Sequence, residues 1–360
     1  MLVLPLALLS ALLLGNPLSA ALPAAAAAGD PARTVAAAAA DDLERDYVLP
    51  TPGRAAAELL RRNAAAGGYD GLREAELAAR LSADLAPVLH DKHVRVRWSP
   101  DRNPPAGASG GAPSAEELAA GARREREGGY GLGRVAHLPG NVGYIEVRGF
   151  ASAPETDAVL DAAVNAVASS DAIVLDLRRN HGGDPHAVAR LVSHFVEPKT
   201  HLNDFLGRGD GAAARIESST YSEAVPGPRV AAPLYVLTSG ETFSGGEECA
   251  YDLQALERGT LIGAVTGGGA NPGGVERIDD HFGIFVPTER ARNPITHANW
   301  EGVGVRPDRA LAPERALATA YAAALDARLA DPALARSLRE RLAALRTTLD
   351  TLDDAAILAL

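Results

Sequence analysis

The chain repeats one local pattern: a short apolar run breaks into a polar, glycine-bearing turn, and residues at helical spacing follow. Residues 142–147 and 172–177 read as strands, and residues 156–168 between them carry apolar side chains at the helix period. The alternation continues through a helix at 186–195, a strand at 234–238, a helix at 246–256 and strands at 261–265 and 282–286. Strands that alternate with helices bury a sheet between helical layers, so the rhythm predicts an α/β layered βαβ core and not a barrel or a bundle. With aromatic residues at only 4%, that core has to be built from Leu, Val, Ile and Ala.

At 360 residues the chain exceeds one average domain, and its pattern divides unequally. Residues 2–14 form an apolar run followed by Ser19, Ala20 and Ala21, which reads as a signal peptide over residues 1–21 and predicts export, to the periplasm or beyond the cell. The run is too short for a comfortable membrane span, so an integral membrane protein is not expected. Residues 22–40 are an alanine-rich stretch read as a disordered linker. Residues 41–98 have helical spacing (Leu59 and Leu60; Leu77, Leu81, Leu85 and Leu89) and predict a small N-terminal helical domain. Residues 99–133, with Pro104, Pro105 and several glycines, read as a flexible loop or flap; residues 134–312 read as the main core, and 313–360 as C-terminal helices.

Several functions are disfavoured at once. A net charge of −11 without a basic run argues against a nucleic-acid partner. Cys249 is the only cysteine, which excludes an internal disulfide, a cysteine zinc site and a CxxC redox pair. No HExxH occurs, and Pro185 denies helical i, i+4 geometry to His181 and His186, so neither a metal nor any other cofactor is expected. The glycine-rich residues 266–274 lack a Gly-Lys-Ser/Thr ending and fit a loop beside a cleft better than a phosphate cradle.

Two strand ends carry candidate chemistry. After the run Leu234-Tyr-Val-Leu-Thr238, the turn Ser-Gly-Glu-Thr-Phe brings Ser244 to a predicted helix start, where unpaired N–H groups and the positive dipole end stabilise an alkoxide or oxyanion. On the local pattern alone the same residue reads first as an N-cap, with Glu247 completing a capping box. After Ile173-Val-Leu-Asp176, the turn Leu-Arg-Arg-Asn-His-Gly-Gly183 lets backbone approach a ligand closely, and Gly182 and Gly183 are candidate oxyanion donors or simply tight-turn glycines. Asp176, Arg178 and Asn180 read as a buried polar network fixing that turn. A nucleophilic serine needs a base. His93 lies where the helical region gives way to a β-like alternation, His181 beside the glycine turn is its rival, and His90 reads as a helix-end residue. Glu301, beside Trp300 in a glycine-interrupted turn, could orient the base or could be an exposed loop acid.

In their order along the chain, Leu175-Asp-Leu-Arg with Asn180 and Gly182-Gly183, then Thr238-Ser239 with Thr242-Phe-Ser-Gly-Gly-Glu-Glu248, then Ile262-Gly-Ala-Val-Thr-Gly267, and then Trp300-Glu-Gly-Val-Gly-Val-Arg-Pro-Asp308 resemble the carboxyl-terminal processing (tail-specific) peptidase family over about residues 40 to 310. The chain looks closest to the branch without a PDZ domain, represented by bacterial homologues of interphotoreceptor retinoid-binding protein. The resemblance implies a crotonase/ClpP-like core and serine peptidase activity on a polypeptide substrate, with no cofactor. It matches Ser244 to the nucleophile and the N–H groups of Gly183 and Gly245 to the oxyanion hole. The lysine of the Ser–Lys branch is missing, since no lysine follows Pro233. The resemblance to the tricorn-like Ser/His/Glu site implies His93 as base and Glu301 as its support. The retinoid-binding relatives imply an alternative role, binding an apolar ligand such as a retinoid or fatty acid.

Overall fold

A computed structural model describes residues 30–101, 115–211 and 214–360. The signal-peptide reading of residues 1–21 falls outside them. Among the described residues no helix is long and apolar enough to cross a membrane.

The alanine tract is not a linker throughout. Its second half forms α1 (Pro31–Asp46), which packs on α2 (Pro50–Ala65) and, through α2, on α3 (Glu74–Leu89). Asp30 caps α1 by accepting the Ala32 N–H at 3.1 Å, and Pro31 occupies the first turn, where its missing N–H costs nothing. Alanine is the best intrinsic helix former, and its small side chain lets helices approach closely, so a low-complexity string becomes a packed face of Val35, Ala36, Ala39, Ala40 and Leu43. Leu43→Ala should therefore lower the stability of the whole chain by about 2–5 kcal/mol in urea unfolding. A linker residue would leave it unchanged.

The helical unit does not end on itself. Strand β1 (Arg95–Trp98) pairs antiparallel with a strand nearly two hundred residues later, β10 (Phe282–Pro287), which also pairs with β9 (Gly273–Arg277). Val96, Ile284 and Val286 from this small sheet join the core of the three helices. Residues 282–286, read as a continuation of the layered core, thus belong to the N-terminal unit.

The stretch expected to be a flap contains α4 (Ala115–Glu127) and the start of β2 (Leu132–Leu138). Glu125 holds α4 to the core by accepting the N–H groups of Ser152 and Ala153 at 3.0 and 2.8 Å.

The main core is a six-stranded sheet in the order β12-β8-β7-β4-β3-β2, from Arg309–Ala310, Gly259–Gly263, Leu234–Thr238, Ala172–Asp176, Val142–Val147 and Leu132–Leu138. All neighbours are parallel except the edge pair β2–β3. Alternate side chains serve opposite faces. Ile145, Ile173, Leu175, Val236 and Leu261 meet α5 (Thr156–Val167), α6 (Pro185–Ser193) and α7 (Gly245–Ala255). Tyr144, Val174, Leu237 and Ile262 meet the C-terminal α8 (Ala316–Leu329) and α9 (Arg336–Thr348). Helix α8 is buried around most of its circumference, so it is one wall of the core and not an amphipathic cap. A third sheet, β11-β5-β6 (Arg290–Arg292, His201–Leu206, Ile216–Tyr221), flanks this core, and α10 (Asp354–Ile357) closes the chain.

Candidate active site

Strands β4 and β7 are parallel neighbours in register, Asp176 beside Leu237, so their carboxyl ends release the two candidate turns side by side. Side chains stitch the turns together. Ser239 Oγ donates to the Arg178 carbonyl at 2.5 Å, Thr242 Oγ1 to the Leu177 carbonyl at 2.8 Å, and the Phe243 N–H to the Asn180 carbonyl at 2.9 Å. Asn180 is fully buried and braces its own turn, donating to the Val147 carbonyl and accepting the Gly182 N–H at 2.8 Å. Arg178 is paired with Asp176 and Asp354 and donates to the Pro313 carbonyl, so two members of the polar network read from the sequence are joined directly while Asn180 braces the turn separately.

Ser244 is the N-cap of α7, and Glu247 completes its capping box by accepting the Ser244 N–H at 3.0 Å. A residue that only caps has extended backbone with negative φ. Ser244 instead has φ 53° and ψ −123°, a conformation that costs of order 1–3 kcal/mol for a residue with a side chain. That is the geometry of a sharp strand-to-helix elbow, which lifts the side chain out of the turn. The opposing glycines allow it. A Cβ at Gly182 (φ 94°) would lie 2.6 Å from Ser244 Cβ, and one at Gly183 (φ 136°) would lie 1.9 Å from the Phe150 carbonyl oxygen. Among the described residues, neither the Gly183 N–H nor the Gly245 N–H donates a hydrogen bond to protein. Both residues border a small recess beside Ser244.

Glu247 does more than cap. Fully buried, it also accepts from Thr266 Oγ1 at 2.5 Å, from the Gly268 N–H at 2.6 Å and from the Gly269 N–H at 2.8 Å, fixing the glycine loop against the serine elbow. Burial raises its pKa, and these donors work against the rise.

His93 and Ser244 line one open cleft of about 830 Å³, together with Lys92, Arg95, Arg97, His181, Asp184 and Glu241. The imidazole lies between Phe243, at a ring-centroid distance of 4.6 Å, and Phe285 of β10, at 5.5 Å. Its side chain is only 8% exposed, neither ring nitrogen has a hydrogen-bond partner among the described residues, and no hydrogen bond joins it to Ser244. His181 also lines the cleft but is exposed, and His90 is the left-handed C-cap of α3. Lys92, for which the sequence suggested no part, donates to the Gly267 carbonyl at 2.6 Å.

Glu301 is not an exposed loop acid. Its Oε2 accepts the Ala270 N–H at 2.6 Å, its Oε1 is buried without a hydrogen-bond partner of good geometry among the described residues, and Trp300 beside it donates to the Gly269 carbonyl at 2.7 Å. Burial, followed by the negative charge of Asp91, pushes the Glu301 pKa up to about 8. Asp91 escaped the sequence reading; its side chain accepts the backbone N–H of His93 two residues on, a turn that an Asp commonly forms. Donor atoms of Asp91, His93 and Glu301 all lie within 4.8 Å of one another. They fit a metal ion poorly, because both oxygens of Asp91 already accept hydrogen bonds.

The raised pKa has a thermodynamic signature. The native state holds a proton on Glu301 between its ordinary pKa of 4.5 and about 8, where the unfolded chain has released it. Stability contributed by this proton is therefore full below the unfolded value and is lost as pH rises through the folded one. Glu301→Gln should match wild type in urea unfolding at about pH 5 and be the more stable of the two at about pH 9.

Residues 141–311 match the model of Peptidase family S41. This segment, just under half of the chain, is a match to peptidase family S41. The chain is a serine-type peptidase, a hydrolase whose substrate class is polypeptide. Two solved structures carry the same fold. A candidate peptidase of Parabacteroides merdae superposes with TM-score 0.54 at 18% identity, over 78% of this chain and 90% of that one. A lipoprotein of Streptococcus agalactiae does so with TM-score 0.50 at 12% identity, over 78% and 92%. A photosystem II D1 C-terminal processing protease aligns over 79% of this S41 chain and 94% of its own, with TM-score 0.48 at 18% identity.

Proposed function

We propose that this S41 peptidase cleaves peptide bonds through an acyl-enzyme on Ser244, with His93 as general base and the N–H groups of Gly183 and Gly245 as oxyanion hole. The observation that carries the reading is the backbone of Ser244, held at positive φ at the mouth of α7 where a serine serving only as a cap gains nothing from the strain. In this mechanism the Ser244 hydroxyl attacks the scissile carbonyl carbon while His93 takes its proton. Negative charge gathers on the carbonyl oxygen between the two glycine N–H groups, which have no other acceptor to leave. His93 then returns the proton to the departing amine, and water hydrolyses the ester by the same steps in reverse. The missing Ser244–His93 hydrogen bond is compatible with this scheme, since catalytic contacts commonly tighten only when substrate excludes water.

The charged lining of the cleft favours a polypeptide over a retinoid or fatty acid, whose sites are predominantly apolar. The apolar run at residues 2–14 supports an exported enzyme.

A fluorophosphonate probe tests the assignment directly. Wild-type protein should be labelled covalently and Ser244→Ala should not, with Gly183 and Gly245 intact in both. Persistent labelling of Ser244→Ala, or none of the wild type, would remove Ser244 from the mechanism.

A further inference from the structure

Two carboxyl groups, not one, approach the buried imidazole, and their surroundings differ. Asp91 Oδ1 lies 3.5 Å from His93 Nδ1, the only carboxylate oxygen within ion-pair distance of that ring among the described residues. Its hydrogen-bond partners are donors alone, with a Glu301 oxygen within 4.8 Å as its carboxyl neighbour. Oδ1 accepts the His93 N–H at 2.9 Å, and Oδ2 accepts Asn271 Nδ2 at 2.8 Å and Tyr47 Oη at 3.2 Å. That is what an acceptor-only carboxylate requires, and it fixes Asp91 from three separate elements: its own turn, helix α1's C-cap and the glycine loop. Glu301 is farther from the ring, within 4.8 Å but beyond ion-pair distance, and one of its oxygens is buried with no hydrogen-bond partner of good geometry among the described residues. Kept protonated at neutral pH by burial and by Asp91, it is a poor acceptor for an imidazole N–H.

We propose that Asp91, and not Glu301, is the carboxylate that positions His93, by accepting its Nδ1–H and so leaving Nε2 free to take the proton of Ser244. The proposal rests on the reading of His93 as the base. Asp91 touches neither substrate nor the reacting atoms, so its part is positioning. The 3.5 Å separation is long for a hydrogen bond and would close by a small rotation of the ring between Phe243 and Phe285. Glu301 on this view supports the glycine loop through the Ala270 N–H and contributes a neutral wall.

The experiment compares Asp91→Asn, Asp91→Glu and Glu301→Gln in the full chain, by peptidase kinetics and by ¹⁵N NMR of the His93 imidazole. In Asp91→Asn the amide can present N–H to the ring, so kcat should fall by about 10²–10⁴-fold with KM little changed. The imidazole should shift from the Nδ1-protonated to the Nε2-protonated tautomer. Asp91→Glu should recover part of the loss, and Glu301→Gln should stay within about tenfold of wild type and keep the wild-type tautomer. The proposal is overturned if Glu301→Gln costs more than about 100-fold and changes the tautomer, an outcome readable even if Asp91→Asn fails to fold. It is equally overturned if Asp91→Asn folds and leaves both readouts unchanged. Because the tautomer is read without turnover, it separates failure of this inference from failure of the Ser244 assignment, which the covalent probe reports.

Discussion

Ser244→Ala and His93→Ala are each expected to reduce kcat on a peptide substrate by roughly 10⁴–10⁶-fold, and the double variant by no more than the worse single one. Non-additivity is the informative part. A base that acts only by taking the proton of the nucleophile has nothing left to do once the hydroxyl is gone. If His93 instead contributed mainly by packing between Phe243 and Phe285, its loss would add to that of Ser244. Residual activity in all three variants should be similar and should come from substrate binding and the two glycine N–H groups. The measurement is single-turnover kinetics on a fluorogenic peptide, with thermal unfolding to show that each variant is folded. His93 is not joined to Ser244 by a hydrogen bond in the free protein, so the coupling has to arise when substrate occupies the cleft.

Gly183→Ala is expected to damage both stability and chemistry. The added methyl would stand 1.9 Å from the Phe150 carbonyl oxygen, far inside contact distance, on a backbone at φ 136° that side chains avoid. Phe150 cannot yield easily, because its own N–H is bonded to the Gly182 carbonyl and its carbonyl accepts the Asp184 N–H at 2.9 Å. A loss of about 2–5 kcal/mol is anticipated from strain and overpacking together. Where the variant still folds, displacement of the Gly183 N–H should lower kcat by a further 10²–10³-fold, the usual cost of one oxyanion donor. Ala substitution at Gly240, where a Cβ meets nothing, is the matched control and should be close to neutral in both respects.

Much of this arrangement was legible in the sequence, and the parts that were not share a cause. Strands β3, β4 and β7 and helices α5 to α7 were read almost to the residue, because each is a buried run with a clear period and a glycine or polar stop. Strand β6, Ile-Glu-Ser-Ser-Thr-Tyr, is mostly exposed at a sheet edge and carries no such signal. The tract at α1 has too little contrast between faces for a period to appear, since alanine fills both; only its packing partners reveal which face is inside. At the site, the strand-end turns and the ordered motifs of the resemblance directed attention to His93, Ser244 and Glu301, and the fold brings His93 and Ser244 to one cleft with a Glu301 oxygen within 4.8 Å of the imidazole. Asp91 was passed over because nothing local distinguishes a buried carboxylate held by Tyr47 and Asn271 from a solvated one. Its partners lie 44 and 180 residues away.

Strand β10 is the central strand of the small sheet that follows His93, and Phe285 on that strand stacks on the imidazole. The unit that carries His93 is thus finished by residues made nearly two hundred positions later than the histidine, after Ser244 and the glycine loop have already emerged. A nascent chain can shape its N-terminal helices early, yet the cleft acquires both walls only after β10 has been made. The order of manufacture therefore assembles the proposed site late, after both of the segments it joins have emerged.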